Sequence, residues 1–231
     1  DVSSYPGHWG LWEIDGGGTP VELTVSGLPS NLRVTWNMVY DGEIYRTAAT
    51  SSSDSELYRI NLSTQVAQKI TDNGGNAVHS AIGTPVVFNN GSSEDLYFWG
   101  HKDLVGYESS IHGVNDYNLY KYNSSTKALT ELSFDIDVSS TGVGSPSLSK
   151  SDLFVFNDKL WIEIEDSSGN YNYYSWDGVY NGVQATLTQE TNLNGGAYWH
   201  LEYPVEFGGN LYFRYYDGTD KENISKIVND I

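Results

Sequence analysis

The sequence contains no cysteine, one methionine, six prolines and no long apolar run. Without thiols the chain can form neither a disulfide nor a thiolate metal site. No stretch approaches the roughly 18 consecutive apolar residues of a membrane-spanning helix, so we expect no membrane insertion. No basic segment followed by an apolar run opens the sequence, so we expect that any signal peptide was removed or never existed.

Basic residues are also scarce. Twelve Lys and Arg stand against 30 Asp and Glu, which gives a formal net charge of −18. Like charges repel, so this balance argues against nucleic acid and anionic lipid as partners. An acidic, soluble chain suits a secreted or cell-surface protein. Because secreted eukaryotic domains often carry disulfides, the absence of cysteine favours a bacterial exported protein or a cytosolic one.

What the sequence does contain is typical of β-structure. It has 18 Tyr, 7 Trp and 24 Gly, with 18% charged residues and few helix-favouring runs. Aromatic residues favour strands, and glycines favour the turns between them. No composition break or Pro-rich linker divides the chain. We therefore predict an all-β protein that folds as a single domain over residues 1–231.

Two phrases recur along the chain. The first combines an aromatic residue, a small turn, and Leu or Ile followed by Tyr or Trp. It occurs as "VYDGEIYRTA" (39–48), "VFNNGSSEDLYFWG" (87–100), "VFNDKLWIEIED" (155–166) and "EFGGNLYFRYY" (206–216). The second phrase is a short aromatic strand, a turn and a second strand, and it begins near Leu11, Leu57, Leu119 and Tyr173. Both phrases are typical of hairpins.

Alternating the two phrases gives units of four strands, A to D. The third-strand markers Leu11, Leu57, Leu119 and Tyr173 are 46, 62 and 54 residues apart. Four short strands at a period of about 50 residues indicate a β-propeller of four-stranded antiparallel blades. The chain begins with strands C and D and ends with A and B, so we predict four blades in a ring closed by pairing of the terminal strands. "ENISKIVND" (222–230) looks like a further C strand and leaves five blades as the alternative.

The residue after the Leu or Ile of strand B is aromatic in every unit: Tyr45, Tyr97, Trp161 and Tyr212. Both faces of a propeller blade pack against neighbouring blades, so we predict that this column belongs to the core. A row of sugar-stacking platforms is the competing interpretation.

These phrases resemble bacterial surface-protein β-propeller repeats of the LYF…ELWxxDGT type. The matching stretches are "LYFRYYDGT" (211–219), "LWEIDGGGT" (11–19) and "ELYRIN" (56–61). The resemblance implies an exported, modular surface or secreted protein of bacterial origin. It carries no assigned catalytic residues, so it transfers none to this chain.

The predicted strand order sorts the loops onto two faces. The A-to-B and C-to-D turns are short, whereas the D-to-A and B-to-C loops on the other face are long. Long loops on a rigid scaffold commonly carry binding residues. All five histidines fall on the long-loop face, together with aromatic residues. We predict that the mouth of a ligand site is lined by Trp199, His200, Tyr198, His79, Tyr107 and His112.

No zinc-protease, esterase, nucleotide-binding or EF-hand motif occurs in the sequence. The spacing of the histidines matches no metal motif, so we predict no metal site. "DIDVSS" from Asp135 and "DSSGN" from Asp166 could supply oxygens to calcium, which leaves the cofactor open.

The sequence therefore favours a non-catalytic recognition module, an adhesin-like protein that binds carbohydrate or peptide. One alternative is a polysaccharide-degrading lyase or glycosidase that uses a His/Tyr or a carboxylate pair, such as one drawn from Glu163 and Glu165. A second alternative is a structural module of a surface array.

Overall fold

The chain folds into antiparallel sheets built from strands that follow one another in sequence. The structure is a computed structural model, and it describes residues 11–14, 18–28, 33–51, 54–71, 78–102, 117–132, 134, 153–165, 171–180, 184–191, 202–216 and 222–227. Every regular element in these ranges is a β-strand. The prediction of an all-β protein with four-stranded antiparallel sheets is confirmed.

The strands group into a hairpin and four sheets. The amino-terminal hairpin contains β1 (Leu11–Ile14) and β2 (Pro20–Leu23). The first sheet contains β3 (Arg33–Tyr40), β4 (Glu43–Ser51), β5 (Asp54–Asn61) and β6 (Val66–Lys69). The second contains β7 (Val78–Asn89), β8 (Glu94–Lys102), β9 (Tyr117–Tyr122) and β10 (Leu129–Leu132).

The third sheet contains β11 (Phe154–Phe156), β12 (Lys159–Glu165), β13 (Tyr171–Trp176) and β14 (Thr188–Gln189). The last sheet contains β15 (Glu202–Phe207), β16 (Asn210–Tyr216) and β17 (Glu222–Ile227). Two compact units divide the chain, Asp1–Ala81 and Ile82–Ile231, with the boundary inside β7. A single domain over residues 1–231 stays a prediction.

All four sheets share one register between their second and third strands. In each sheet, the residue three positions after the Leu or Ile of the second strand pairs with one residue of the third strand. That residue is the marker named above in the first three sheets and Ile224 in the last. The pairs are Thr47 with Leu57, Trp99 with Leu119, Glu163 with Tyr173, and Arg214 with Ile224. A one-residue slip would turn every side chain to the other face, so a shared register gives the sheets equivalent positions. "ENISKIVND" accordingly supplies the third strand of the last sheet, β17. The prediction that the chain ends with strands A and B is therefore wrong, because a C strand follows them.

Two-residue turns join the first and second strands of three sheets. Asp41 and Gly42, Asn157 and Asp158, and Gly208 and Gly209 all have positive φ. Positive φ at both central residues defines the type I′ turn, whose twist matches the flanking strands. Asn, Asp and Gly adopt this conformation at least cost, so the recurring "DG", "ND" and "GG" dipeptides fix these hairpins.

In the carboxyl-terminal unit the third sheet is buried on both faces. Leu160, Ile162 and Ile164 pack in one core cluster with Trp99 and Leu119 of the second sheet. Trp161 and Tyr173, on the opposite face, pack with Leu211 and Phe213 of the last sheet. The rings of Tyr173 and Phe213 meet edge to face at 5.2 Å. Alternate residues of β12 thus serve two interfaces, as expected of a strand covered on both sides.

In the amino-terminal unit, the chain that leaves the hairpin packs on the first sheet. Leu11, Val25 and Leu28 contact the cluster of Tyr58, Ile60 and Ala67. Ser26 forms a parallel bridge with Val66 of the fourth strand. A similar bridge, Phe134 to Ala185, joins the chain after β10 to the segment before β14 in the other unit.

The aromatic column follows the core prediction closely. Tyr45, Tyr97 and Trp161 are buried, while Tyr212 of the last sheet is only partly buried. The prediction that these rings belong to the core is therefore confirmed for the first three sheets.

Candidate functional site

Each sheet has two unlike ends, which the antiparallel strand order defines. The turn end carries the connections between first and second and between third and fourth strands. These connections are residues 41–42, 62–65, 90–93, 123–128, 157–158 and 208–209, with 177–187 as a longer exception. The loop end carries the remaining connections, including residues 70–77, 103–116, 133–153 and 190–201. The connections from the fourth strand of one sheet to the first strand of the next are long, as predicted. Three of the four connections between second and third strands, residues 52–53, 166–170 and 217–221, are short, so the prediction of long loops holds there only for residues 103–116.

The turn ends of the second and third sheets lie side by side. A Cβ built on Gly178, which follows β13, would lie only 2.6 Å from Cβ of Asn90, in the β7–β8 turn. Within the carboxyl-terminal unit, the loop ends of these two sheets therefore also lie on a common side.

Polar groups at the turn end are occupied by the turns themselves. Asn61 Oδ1 accepts hydrogen bonds from Thr64 N at 3.0 Å and Thr64 Oγ1 at 3.1 Å. Asn123 Oδ1 accepts the same pair from Thr126, at 2.8 and 2.9 Å. Asn side chains stabilise turns in this way because they replace a backbone acceptor. These contacts give the turn end a structural role.

An acidic residue just before the Leu or Ile of the second strand adds to this network. Asp95 is fully buried, accepts hydrogen bonds from Ser93 Oγ and Asn123 Nδ2, both at 2.6 Å, and lies 3.6 Å from Lys121 Nζ. In the first sheet Glu43 lies 3.4 Å from Arg59. Buried carboxylates are stable only when such donors surround them.

The third sheet reverses the charges of this cluster. Lys159 occupies the position of Asp95, and its Nζ lies 3.2 Å from Glu190 Oε1. Ser175 Oγ donates a hydrogen bond to the same carboxylate oxygen. Each of the first three sheets thus pairs opposite charges at this position, although the residue types differ. This is expected of a contact that stabilises the sheet.

Buried polar residues also occur at the loop end. Thr71 Oγ1 donates to Glu56 of the first sheet, and Lys69 Nζ lies 2.6 Å from the other carboxylate oxygen. At the same place in the third sheet, Thr191 Oγ1 donates to Asn172 Oδ1 at 3.3 Å. Polar side chains are thus buried next to the loop-end connections of these two sheets.

Most of the predicted ligand residues lie outside the described residues. Tyr107 and His112 belong to the β8–β9 connection, and Tyr198, Trp199 and His200 to the β14–β15 connection. His79 lies in β7, where the backbone alone is described. The grouping of these six residues into one site stays a prediction.

Glu163, one of the two acidic residues considered for catalysis, is buried on β12 opposite Tyr173. It points to the face that packs on the last sheet, because its neighbours Trp161 and Tyr173 belong to that cluster. Glu165 has no described side chain. The alternative of a Glu163/Glu165 catalytic pair therefore stays untested.

One polar group at the loop-end half of the second sheet was not singled out in the sequence. Trp99 is 3% exposed, and its indole N–H has no hydrogen-bond partner among the described residues. The sequence offered no signal for this, because Trp99 follows the same alternation of large apolar residues as the core.

Arg46, in the first sheet, is a buried positive charge. It is 4% exposed, and no described residue accepts a hydrogen bond from its Nε. Desolvation by burial lowers the pKa of its guanidinium. The equivalent positions in the other sheets hold Phe98, Ile162 and Phe213. Arg46 therefore replaces an apolar core residue.

Within the described ranges, no three His, Asp or Glu side chains come together as a metal site, and no helix has the length and apolarity to cross a membrane. The possible calcium ligands near Asp135 and Asp166 lie outside those ranges.

No family model and no curated protein matches this chain. Among solved structures, it is similar to a GH43 β-xylosidase/α-arabinofuranosidase from a compost microbial metagenome, solved in complex with xylotriose in a calcium-free form. The two are 12% identical, the match covers 92% of this chain and 77% of that one, and the TM-score is 0.44. A likeness this weak transfers neither fold nor activity to this chain.

Proposed function

We propose that this chain is a non-catalytic recognition module that binds carbohydrate or peptide at the loop end of its sheets. The difference between the two ends is the observation that carries the proposal. At the turn end, short connections use their polar side chains to hold the strands, as Asn61, Asp95 and Asn123 do. The long connections are concentrated at the loop end.

The composition of the long connections supports a neutral ligand. Residues 103–116 include Tyr107, Glu108 and His112, and residues 190–201 include Tyr198, Trp199 and His200. Aromatic rings pack on the apolar faces of sugars and peptide side chains, while carboxylates and imidazoles exchange hydrogen bonds with their polar groups. The net charge of −18 disfavours polyanionic ligands, including nucleic acid.

We also propose that the sheets are the blades of a β-propeller with four blades, five being the alternative, and that the terminal strands close the ring. The shared register and the two buried faces of the third sheet support this arrangement. The last sheet has three strands where the three preceding sheets have four. Its Ile224 is 80% exposed, whereas Leu119 and Tyr173 are buried at the equivalent positions. In a closed ring, the neighbouring blade would cover this exposed face of the last sheet.

The proposed setting is an exported or cell-surface bacterial protein. This rests on the resemblance of "LYFRYYDGT" and "LWEIDGGGT" to surface-protein repeats and on the acidic, cysteine-free composition.

A glycan-array screen of the purified chain, run with calcium and again with EDTA, tests the proposal. We expect saturable binding that Trp199→Ala or His200→Ala abolishes. Tyr180→Ala, in the turn-end connection 177–187, is the matched control and should leave binding unchanged. Sensitivity to EDTA would add a metal to the site.

A blank array in both buffers would rule out recognition of the arrayed glycans, and a peptide-display screen would then test the peptide arm. Loss of binding in Tyr180→Ala alone would move the site to the turn end and contradict the proposal. Release of shorter sugars from a bound oligosaccharide would replace the recognition module by the enzyme alternative.

A further inference from the structure

The last sheet ends in a strand that has no fourth strand beside it. β17 (Glu222–Ile227) pairs with β16 on one edge, and no strand in the described part of the chain pairs with its outer edge. In the first three sheets this place is taken by β6, β10 and β14. The outer edge of β17 therefore offers backbone donors and acceptors to a further strand.

β17 is also longer than the strands that end the other sheets. It has six residues, whereas β6 and β10 have four each and β14 has two. Short edge strands are one means by which proteins avoid pairing with other chains. The last sheet lacks this protection, and Ile224 within β17 is 80% exposed.

The charges of β17 are complementary to those of a second copy of the same strand. Glu222, Ile224 and Lys226 occupy alternate positions, which places them on one face of the sheet. An antiparallel pair centred on Ile224 puts Glu222 of each copy opposite Lys226 of the other. Opposite charges directly across an antiparallel pair are favourable, so this arrangement gains two such contacts.

The same pattern disfavours other ways of pairing two β17 strands. A parallel pair in register would place Glu222 against Glu222 and Lys226 against Lys226, and like charges directly opposite are destabilising. An antiparallel pair shifted by two residues would place a charged residue opposite Ile224 and lose both Glu–Lys contacts. The sequence of β17 therefore selects one orientation and one register.

Local attraction matters here because the whole chain opposes self-association. Two copies with a net charge of −18 repel each other, so a contact between them needs complementary charges at the contact itself. Lys226 is exposed, and its Nζ lies 5.9 Å from the centre of the Tyr212 ring on the neighbouring strand. A positive charge is thus present on the face of β17 that carries Ile224.

From this geometry we infer that the outer edge of β17 is a homodimer interface, in which the β17 strands of two copies pair antiparallel about a two-fold axis at Ile224. Each copy takes the place of the missing fourth strand in the last sheet of the other. The ring closure proposed above covers a face of the last sheet and does not use this edge, so the dimer goes beyond the proposed function.

Sedimentation of the full chain over a range of concentrations tests the inference. We expect reversible dimerisation. Lys226→Glu turns both Glu–Lys contacts into Glu–Glu contacts and should weaken dimerisation by about tenfold or more, and Glu222→Lys should do the same through Lys–Lys contacts. Lys127→Glu is the matched control, because it makes the same change of charge at an exposed residue of the β9–β10 turn. It should leave dimerisation unchanged.

A mixture of the two interface variants separates this contact from effects on folding or on total charge. Lys226→Glu and Glu222→Lys, each weak alone, should associate with each other at about the affinity of the unsubstituted chain, because the mixture restores both Glu–Lys contacts. Failure of the mixture to associate, or a dimer that neither variant weakens, overturns the inference. A chain that is monomeric at every concentration also overturns it, and slow hydrogen exchange of the β17 amides in that monomer would assign the edge to another strand of the same chain.

Discussion

Asn123 Nδ2 donates a hydrogen bond of 2.6 Å to Oδ1 of the buried Asp95, and this links the start of β8 to the end of β9. The first sheet contains the same link, in which Asn61 Nδ2 donates to Glu43 at 3.3 Å. Each of these asparagines also closes the turn that follows it. One side chain thus joins three of the four strands of a sheet at its turn end.

The first prediction concerns Asp95. Asp95→Asn replaces an acceptor by a donor in a fully buried site that already contains donors from Ser93 and Asn123. We expect the free energy of unfolding to fall by about 1–3 kcal/mol, measured by urea denaturation. Glu43→Gln is the control, because Glu43 is partly exposed, and it should cost less than about 1 kcal/mol. Equal losses in the two variants would contradict the buried network.

The second prediction compares two glycines with similar backbone angles. Gly178 and Gly91 have φ of 89° and 82°. A Cβ on Gly178 would meet Asn90, whereas a Cβ on Gly91 would meet nothing within 4 Å. Gly91→Ala should therefore cost about 1 kcal/mol from the backbone alone. Gly178→Ala should cost about 1–3 kcal/mol more, because the turn ends of the two sheets must separate.

Thermal and urea unfolding of both glycine variants measures this difference. If Gly178→Ala is no worse than Gly91→Ala, then the second and third sheets do not adjoin at their turn ends.

The third prediction concerns Arg46. Burial lowers the pKa of Arg46, so its charged form is less stable in the folded chain than in the unfolded one. A folded-state pKa below the unfolded value means that this cost is fully present at neutral pH and is relieved only as the pH rises above the folded-state pKa. Arg46→Leu removes the cost and restores the apolar residue type of the other sheets. We expect the free energy of unfolding at neutral pH to stay within about 1 kcal/mol or to increase.

Urea denaturation at neutral pH measures the effect of Arg46→Leu. A loss of more than about 2 kcal/mol would show that the guanidinium has a stabilising role which the described contacts do not reveal.

The fourth prediction tests closure of the ring. If a closing blade covers the outer face of the last sheet, Ile224→Thr should lower the free energy of unfolding by about 1–2 kcal/mol through lost apolar burial. Val39→Thr is the control, because Val39 is also an exposed apolar strand residue. It should change stability by less than about 0.5 kcal/mol. Equal losses of stability in the two variants, measured by thermal unfolding, would favour an open arrangement.

Much of the strand arrangement could be predicted because local chemistry determines it. Asp41 with Gly42 and Asn157 with Asp158 favour type I′ turns without any help from the rest of the chain. Once such a turn is fixed, so is the register of the hairpin, and the recurring Leu-aromatic pairs repeat that register in each sheet. The extra third strand at "ENISKIVND" was also visible in the sequence, since Ile224 falls at the same register position as Tyr173.

Properties that depend on several sheets at once could not be predicted in this way. The exchange of Asp95 for Lys159 is compensated by Glu190, which follows β14 and has no fixed sequence distance from Lys159. The burial of Arg46 and the missing acceptor of Trp99 depend on what packs against each strand. The proposed site rests on long connections, whose conformation no strand propensity or turn type determines.

Hydrogen–deuterium exchange of the full chain, with and without a saturating glycan from the array, tests most directly which end of the sheets binds. We expect slower exchange in peptides that cover residues 103–116 and 192–201, with no change in peptides that cover the turns at 41–42, 157–158 and 208–209. Protection confined to the turn-end peptides, or bound glycan with no protection in the loop-end connections, would contradict it.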